Sequence, residues 1–414
     1  MAEAPIILFG ACDRHNLGDL LFPHIAEALL APRPVVVAGL AERDLTQYGG
    51  HKVAALARLA AQWETQYPDA PAELVHVGGE LITCSLYEAA VMTLSPEAAR
   101  AAVARYDRDE AVRQAWAEGQ LGLRQHVAYL APRALFRRPG RFLHCALGGV
   151  DLPRLPAAMQ AEALTRLRES DALAVRDCLT QAALAEAGIA AECMPDPAVL
   201  TAQLFGPRIA GHAEAGEPAR VRERFPQGYL AVQFSAEFGD EPTLQTLAEQ
   251  LDRLTADTGL GLVLFRAGAA PWHDDQSVYR RLIGHMRHDQ AWLFESLDIW
   301  DLCALLARAR GYAGSSLHGR IVAACFGVPG INLIPPGTPP EHSKQAAYLV
   351  TWHRAEALGW IEPQALAAQV MQALAQPDLD LTVGQQTRID AFRRHAAALY
   401  APLRQPFAGG QAST

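Results

Sequence analysis

The sequence has no two cysteines spaced as CxxC. Its seven cysteines (Cys12, Cys84, Cys145, Cys178, Cys193, Cys303 and Cys325) are odd in number and scattered. That pattern predicts reduced thiols in a cytoplasm rather than a disulfide framework. There is no run of about 18 apolar residues, so no membrane span is predicted. The opening MAEAPIILFG lacks the basic, apolar and small-residue succession of a signal peptide and reads as a strand. Positive charge is also in deficit, with 36 Lys and Arg against 45 Asp and Glu, a formal net charge of −9. This argues against a nucleic-acid partner, which would call for a basic face. It leaves room for an anionic substrate held by local arginines. Neither GxGxxG nor a P-loop is present, so a dinucleotide is not favoured. There is no internal repeat of short period. Among the 14 histidines, His285 and His288 have helical spacing but no carboxylate or cysteine cluster beside them. They read as a solvated helix face, and no metal is expected.

What is present is an alternation. With 414 residues, two domains of ordinary size are expected. Half of the residues are hydrophobic and a fifth charged, the balance of a globular protein with large cores. Short apolar strands are predicted at 5–10, 33–38, 73–77, 142–147 and 172–175, with helical segments between them, including one over about 95–120. From 206 to 226 the periodicity fails and Gly206, Pro207, Gly211, Gly216 and Pro218 predict a linker. Strands then resume at 229–234, 260–265, 291–294 and 311–313, with helices at about 241–257, 275–287 and 298–309. Such series predict βαβ units and parallel sheets. The expected fold class is therefore α/β, with two Rossmann-like domains facing a cleft. The expected division is 1–205, the linker 206–226, 227–380, a helix within 381–404 packing back across the halves, and a disordered tail 405–414.

Ligands of open α/β sheets lie beyond the carboxyl ends of the strands. Five polar clusters fall there. Asn16, Gly18 and Asp19 follow the first strand, although the same residues fit a plain loop in which Asp19 caps the next helix. Gly78 and Gly79 precede Glu80. Arg176 and Asp177 follow the strand 172–175. Arg176 is expected at the sheet edge, where its guanidinium fork suits phosphate or carboxylate, and Asp177 is a natural N-cap. Arg266 follows the strand 260–265. The last cluster is Ser315, Ser316, His318 and Gly319, at the start of a helix predicted over 317–326 and ended by Gly327 and Pro329. A helix start offers free N–H groups and the positive end of a dipole, which makes an anion site. A titratable imidazole beside it suits acid/base work. The same pattern also fits an ordinary capped helix with His318 half exposed.

The order of these motifs resembles that of the polysaccharide pyruvyl transferase family. The matching pieces are Asn16-Leu17-Gly18-Asp19, Gly78-Gly79-Glu80-Leu81, Ala174-Val175-Arg176-Asp177, Met194-Pro195-Asp196-Pro197-Ala198, Ser315-Ser316-Leu317-His318-Gly319 and Gly327-Val328-Pro329. The likeness spans about residues 6–350. It implies a GT-B-like fold and transfer of pyruvate from phosphoenolpyruvate to two hydroxyls of a sugar as a ketal, with release of phosphate. It implies no cofactor besides that co-substrate and a sugar acceptor, free or lipid-linked. It places the motif histidine on His318 and the arginine of the strand–helix turn on Arg176. Where many members carry Arg two residues before that histidine, this chain has Ser316. Arg320 cannot replace it, because two residues turn a helix by about 200°. Arg176, and less directly Arg266, are left as the expected cationic clamp. Two other readings share the fold: a glycosyltransferase using a nucleotide-sugar, and a non-catalytic sugar-binding protein.

Overall fold

The structure is a computed structural model, described here for residues 3–287, 290–339, 343–353, 360–375 and 379–404. His288 and the expected tail 405–414 lie outside the described residues.

Two sheets organise the chain. The first contains β1 (Ile6–Phe9), β2 (Val35–Gly39), β3 (Arg43–Asp44), β4 (Lys52–Ala55), β5 (Ala72–His76), β6 (Pro139–Leu147), β7 (Ala172–Val175) and β8 (Glu192–Cys193), in the order β3-β4-β2-β1-β5-β6-β7-β8. All neighbours are parallel except the β3–β4 edge. The second contains β9 (Tyr229–Gln233), β10 (Gly261–Leu264), β11 (Ala291–Leu293), β12 (Gly311–Gly314), β13 (Gly330–Leu333) and β14 (Trp360–Ile361), ordered β11-β10-β9-β12-β13-β14 and wholly parallel. Parallel strands are covered on both faces, so their sequences are continuously apolar. Ile-Ile-Leu-Phe of β1 and Gly-Leu-Val-Leu of β10 are wholly buried.

One hydrophobic cluster runs between the sheets. It joins Leu8, Val75 and Leu143 of the first to Ala231 and Val263 of the second. Separate clusters cover the opposite faces, around Trp63 and Phe142 on one side and Leu247 and Leu262 on the other. The helix Leu379–Tyr400 adds Phe392, Ala396 and Tyr400 to the shared cluster. It also bonds the connection between the sheets, where Gln385 Nε2 donates to the Val199 carbonyl at 3.0 Å. No described helix is long and apolar enough to cross a membrane.

The linker expected at 206–226 does run between the sheets, but most of it is helical, in Thr201–Ala213 and Gly216–Arg224. Ile209, Ala213 and Val221 enter the shared cluster, and that burial outweighs the poor propensity of Gly206, Pro207 and Gly211. Pro218 sits in the first turn of its helix, where a missing N–H costs nothing. The single helix expected over 95–120 is two, Pro96–Tyr106 and Glu110–Leu121, because Asp109 caps the second by accepting Val112 N–H at 2.8 Å.

Candidate functional site

The carboxyl ends of both sheets open on one cavity of about 430 Å³. From the first half Asn16, Glu80 and Asp151 line it. From the second come Gln233, Trp272, Asp274, Ser315, Ser316, His318 and Lys344. The halves are bonded at its edge, where Leu17 N–H donates to the Ala267 carbonyl at 2.7 Å and Ala269 N–H to the His15 carbonyl at 3.2 Å.

His318 stands in the first turn of the helix Leu317–Cys325, with 12 % of its side chain exposed. Its ring meets Phe22 edge-on, with centroids 5.2 Å apart. It lies so close to the helix Leu17–Leu30 that a Cβ on Gly18 would fall 2.1 Å from Nδ1. Gly18 is therefore glycine to admit the imidazole, rather than to touch a ligand. His318 Nε2 donates to Asp196 Oδ2 at 3.3 Å, and Asp196 Oδ1 accepts the Ala198 N–H at 3.0 Å. Burial would raise the Asp196 pKa, but the His318 charge and hydrogen bond and the Arg176 guanidinium together hold it below the usual carboxylate range. A carboxylate that fixes and supports an imidazole is the orienting partner of an acid/base histidine.

Arg176 is not the exposed clamp expected. Its side chain is 1 % exposed and does not line the cavity. Nη2 lies 2.5 Å from Glu80 Oε2 and Nη1 lies 3.3 Å from Asp196 Oδ2, while Trp352 Nε1 donates to its carbonyl at 2.7 Å. The residue follows the interior strand β7, so it enters the junction of the halves, and two carboxylates fill its fork. The result is a buried chain Glu80–Arg176–Asp196–His318, with Glu80 at one end and His318 at the other facing the cavity.

The remaining expected residues divide between the wall and its support. Asn16 lines the cavity and caps its helix, its Oδ1 accepting Gly18 N–H at 3.1 Å. Asp19 is buried behind the wall, 3.9 Å from Arg14, with its pKa raised by burial against the pull of Arg14, His318, Lys344 and Arg176. Gly78 and Gly79 adopt φ of 121° and 99° and turn the chain into Glu80. Asp177 is a buried N-cap, accepting Thr180 N–H at 2.7 Å, and does not reach the cavity. Ser315 and Ser316 do line it. Gly319 does not offer its amide, because Ser316 Oγ accepts that N–H at 3.1 Å. It instead leaves room for the Tyr312 ring, whose hydroxyl would lie 2.7 Å from a Cβ there. Among the described residues, the N–H groups left open at this helix start are those of Leu317 and His318. Arg266 is half-buried and off the wall, and Arg320 is buried against Gly330.

One wall residue, Lys344, escaped the sequence reading, and another, Asp274, belongs to the polar cluster that follows Arg266 but was given no role. Lys344, exposed at the start of the helix Lys344–Trp352, is the cation that lines the cavity. Its signal was composition, since it and Lys52 are the only lysines in the chain. Asp274 accepts Ala267 N–H at 2.6 Å, Gly268 N–H at 3.2 Å and Gln233 Nε2 at 2.8 Å. Burial nevertheless pushes its pKa up to about 7 against those bonds. A side chain in a parallel strand such as Gln233 leaves no trace in sequence of the bond that assembles this wall.

Solved structures share the architecture. UDP-GlcNAc 2-epimerase from Methanocaldococcus jannaschii is 11 % identical, with TM-score 0.53 over 94 % of this chain and all of that one. UDP-N-acetylglucosamine 2-epimerase from Rickettsia bellii is 9 % identical, with TM-score 0.50 over 97 % and 98 %. At such identity the likeness concerns the fold, two Rossmann-like domains of the GT-B type. A search of curated proteins returns no match. Residues 155–335, which include Arg176, Asp196 and the Ser315–His318 turn, match the model of the polysaccharide pyruvyl transferase family, so the resemblance read from the motifs holds over that stretch.

Proposed function

We propose that this protein transfers pyruvate from phosphoenolpyruvate to two hydroxyls of a sugar, forming a ketal and releasing phosphate. The observation that carries this reading is the His318–Asp196 pair, which opens on the same cavity as Lys344 and the helix start at Ser316. In the reaction a proton adds to the methylene carbon of the enol, and a sugar hydroxyl bonds to the neighbouring carbon. The bond from that carbon to the phosphate oxygen breaks, and a second hydroxyl closes the ketal. Of the two hydroxyl protons lost, one replaces the proton delivered to carbon and one leaves with phosphate. His318 is the proton donor in this reading, and Asp196 steadies the imidazolium. Lys344 and the open amides of Leu317 and His318 supply the positive groups for phosphate and carboxylate. Residues 227–380 would then form the donor side and 1–205 the acceptor side, where Glu80 and Asp151 can accept hydroxyl hydrogen bonds. Trp272 and Glu237 complete that wall from the other half. No further cofactor enters this scheme, and the sugar can be free or lipid-linked.

A thermal shift series tests the donor. Phosphoenolpyruvate should raise the melting temperature while nucleotide-sugars leave it unchanged. Protection by nucleotide-sugars alone would point to glycosyl transfer instead.

A further inference from the structure

Away from the cavity, three metal-ligating side chains converge on the helix Leu17–Leu30. His24 and Glu27 are three residues apart, so they share one face of that helix. His51 comes from the turn just before β4. One ring nitrogen of each histidine and one carboxylate oxygen of Glu27 lie within 4.8 Å of one another. Glu27 Oε2 and His51 Nε2 are 3.5 Å apart. Two ligands of one ion, each bonded at about 2.0–2.1 Å with a tetrahedral angle between them, stand about 3.4 Å apart.

The surroundings hold these groups as metal ligands are usually held. His24 Nε2 donates to the Gly49 carbonyl at 2.8 Å, so the free lone pair of the ring is on Nδ1. The same carbonyl accepts Trp300 Nε1 at 3.1 Å. Gly49 has φ of 74°, and a Cβ there would meet the Trp300 ring at 2.6 Å, so the turn is fitted to this contact. The His24 ring lies between His51 and Trp300, with centroid distances of 4.0 and 5.0 Å. Arg208 stacks on Trp300 beside the pair, 4.0 Å from the ring centroid.

We propose that His24, Glu27 and His51 form a site for a divalent transition metal of the zinc class, tying the segment before β4 to the helix Leu17–Leu30. Two imidazoles and one carboxylate suit zinc, cobalt or nickel rather than calcium or magnesium. Glu27 is exposed, so ion entry and a water as fourth ligand are open.

The test uses the tag-free full chain stripped with EDTA and titrated with Co²⁺. One equivalent should produce the visible absorption of a four-coordinate site, and Zn²⁺ should displace it while millimolar Mg²⁺ does not. Glu27→Gln and His51→Gln, at positions open enough to keep the fold, should each weaken binding at least about tenfold with an unchanged far-UV CD spectrum. No saturable binding at one equivalent would overturn the proposal. So would equal affinity in both variants, which would mark adventitious binding by surface histidines.

Discussion

Arg176 shows how a single residue changes meaning between sequence and structure. As an exposed charge it could be removed at little cost, since such groups contribute about 1 kcal/mol or less. Here its side chain is 1 % exposed and bridges Glu80 and Asp196. Arg176→Ala would strand two carboxylates and should destabilise the protein by about 3–5 kcal/mol, readable as a shifted urea midpoint. A midpoint within error of the parent would return Arg176 to the surface. The strand before it and the cap after it were legible in sequence. The carboxylates 96 and 20 positions away in the chain were not, because no local pattern records a long-range pair.

Asp274 carries the pH dependence. Its folded pKa, about 7, lies above the ordinary carboxylate value of 3.8. Between those values the folded state binds more protons than the unfolded one, so this group makes stability fall as pH rises from about 4 to 7. Asp274→Asn cannot titrate and also loses an acceptor for backbone N–H groups. It should therefore destabilise most near pH 5 and less near pH 8. Melting curves of both proteins across that range check the sign, and a gap that widens with pH would contradict it.

At the scale of elements, sequence periodicity located β1, β2, β5, β6, β7, β9, β10, β11 and β12. The strand expected at 229–234 is β9, Tyr229–Gln233, and the helix expected at 317–326 is Leu317–Cys325. Strands β3, β8 and β14 were missed because two residues cannot show an alternation, and the four-residue strands β4 and β13 were missed as well. The helices of the linker, Thr201–Ala213 and Gly216–Arg224, were missed for the opposite reason, since glycine and proline spoke locally against helices that tertiary burial stabilises. Helix starts were legible where a cap follows a strand directly, as Asp177 and Ser316 show, whereas the first helix is capped by Asn16 rather than by Asp19. Ser316 also shapes the site, because its Oγ holds the Gly319 N–H. Ser316→Ala should cost roughly 1 kcal/mol of stability. It should also disturb the turn that carries His318, so donor affinity should fall with it. Calorimetry with phosphoenolpyruvate reads the second effect, and unchanged affinity would separate the cap from the donor site.

At the scale of the molecule, the cavity exists because both sheets direct their carboxyl ends at one another and the helix Leu379–Tyr400 joins their shared core. The motifs told which loops carry polar residues. They did not tell which side chains face the cavity and which support it, and Lys344 lay outside every motif. Lys344→Met keeps the stem and removes the charge. It should raise the KM for phosphoenolpyruvate several-fold while leaving the far-UV CD spectrum unchanged, and an unaltered KM would move the clamp elsewhere.

The central claim is that His318 delivers the proton to the enol. The direct measurement is phosphate release from phosphoenolpyruvate in the presence of a pool of bacterial sugar acceptors, comparing the parent with His318→Gln. The variant keeps size and polarity but cannot titrate. It should fold, bind phosphoenolpyruvate and release phosphate about 10²–10⁴-fold more slowly. Parent-like release from His318→Gln, or no acceptor-dependent release from the parent, would contradict the account.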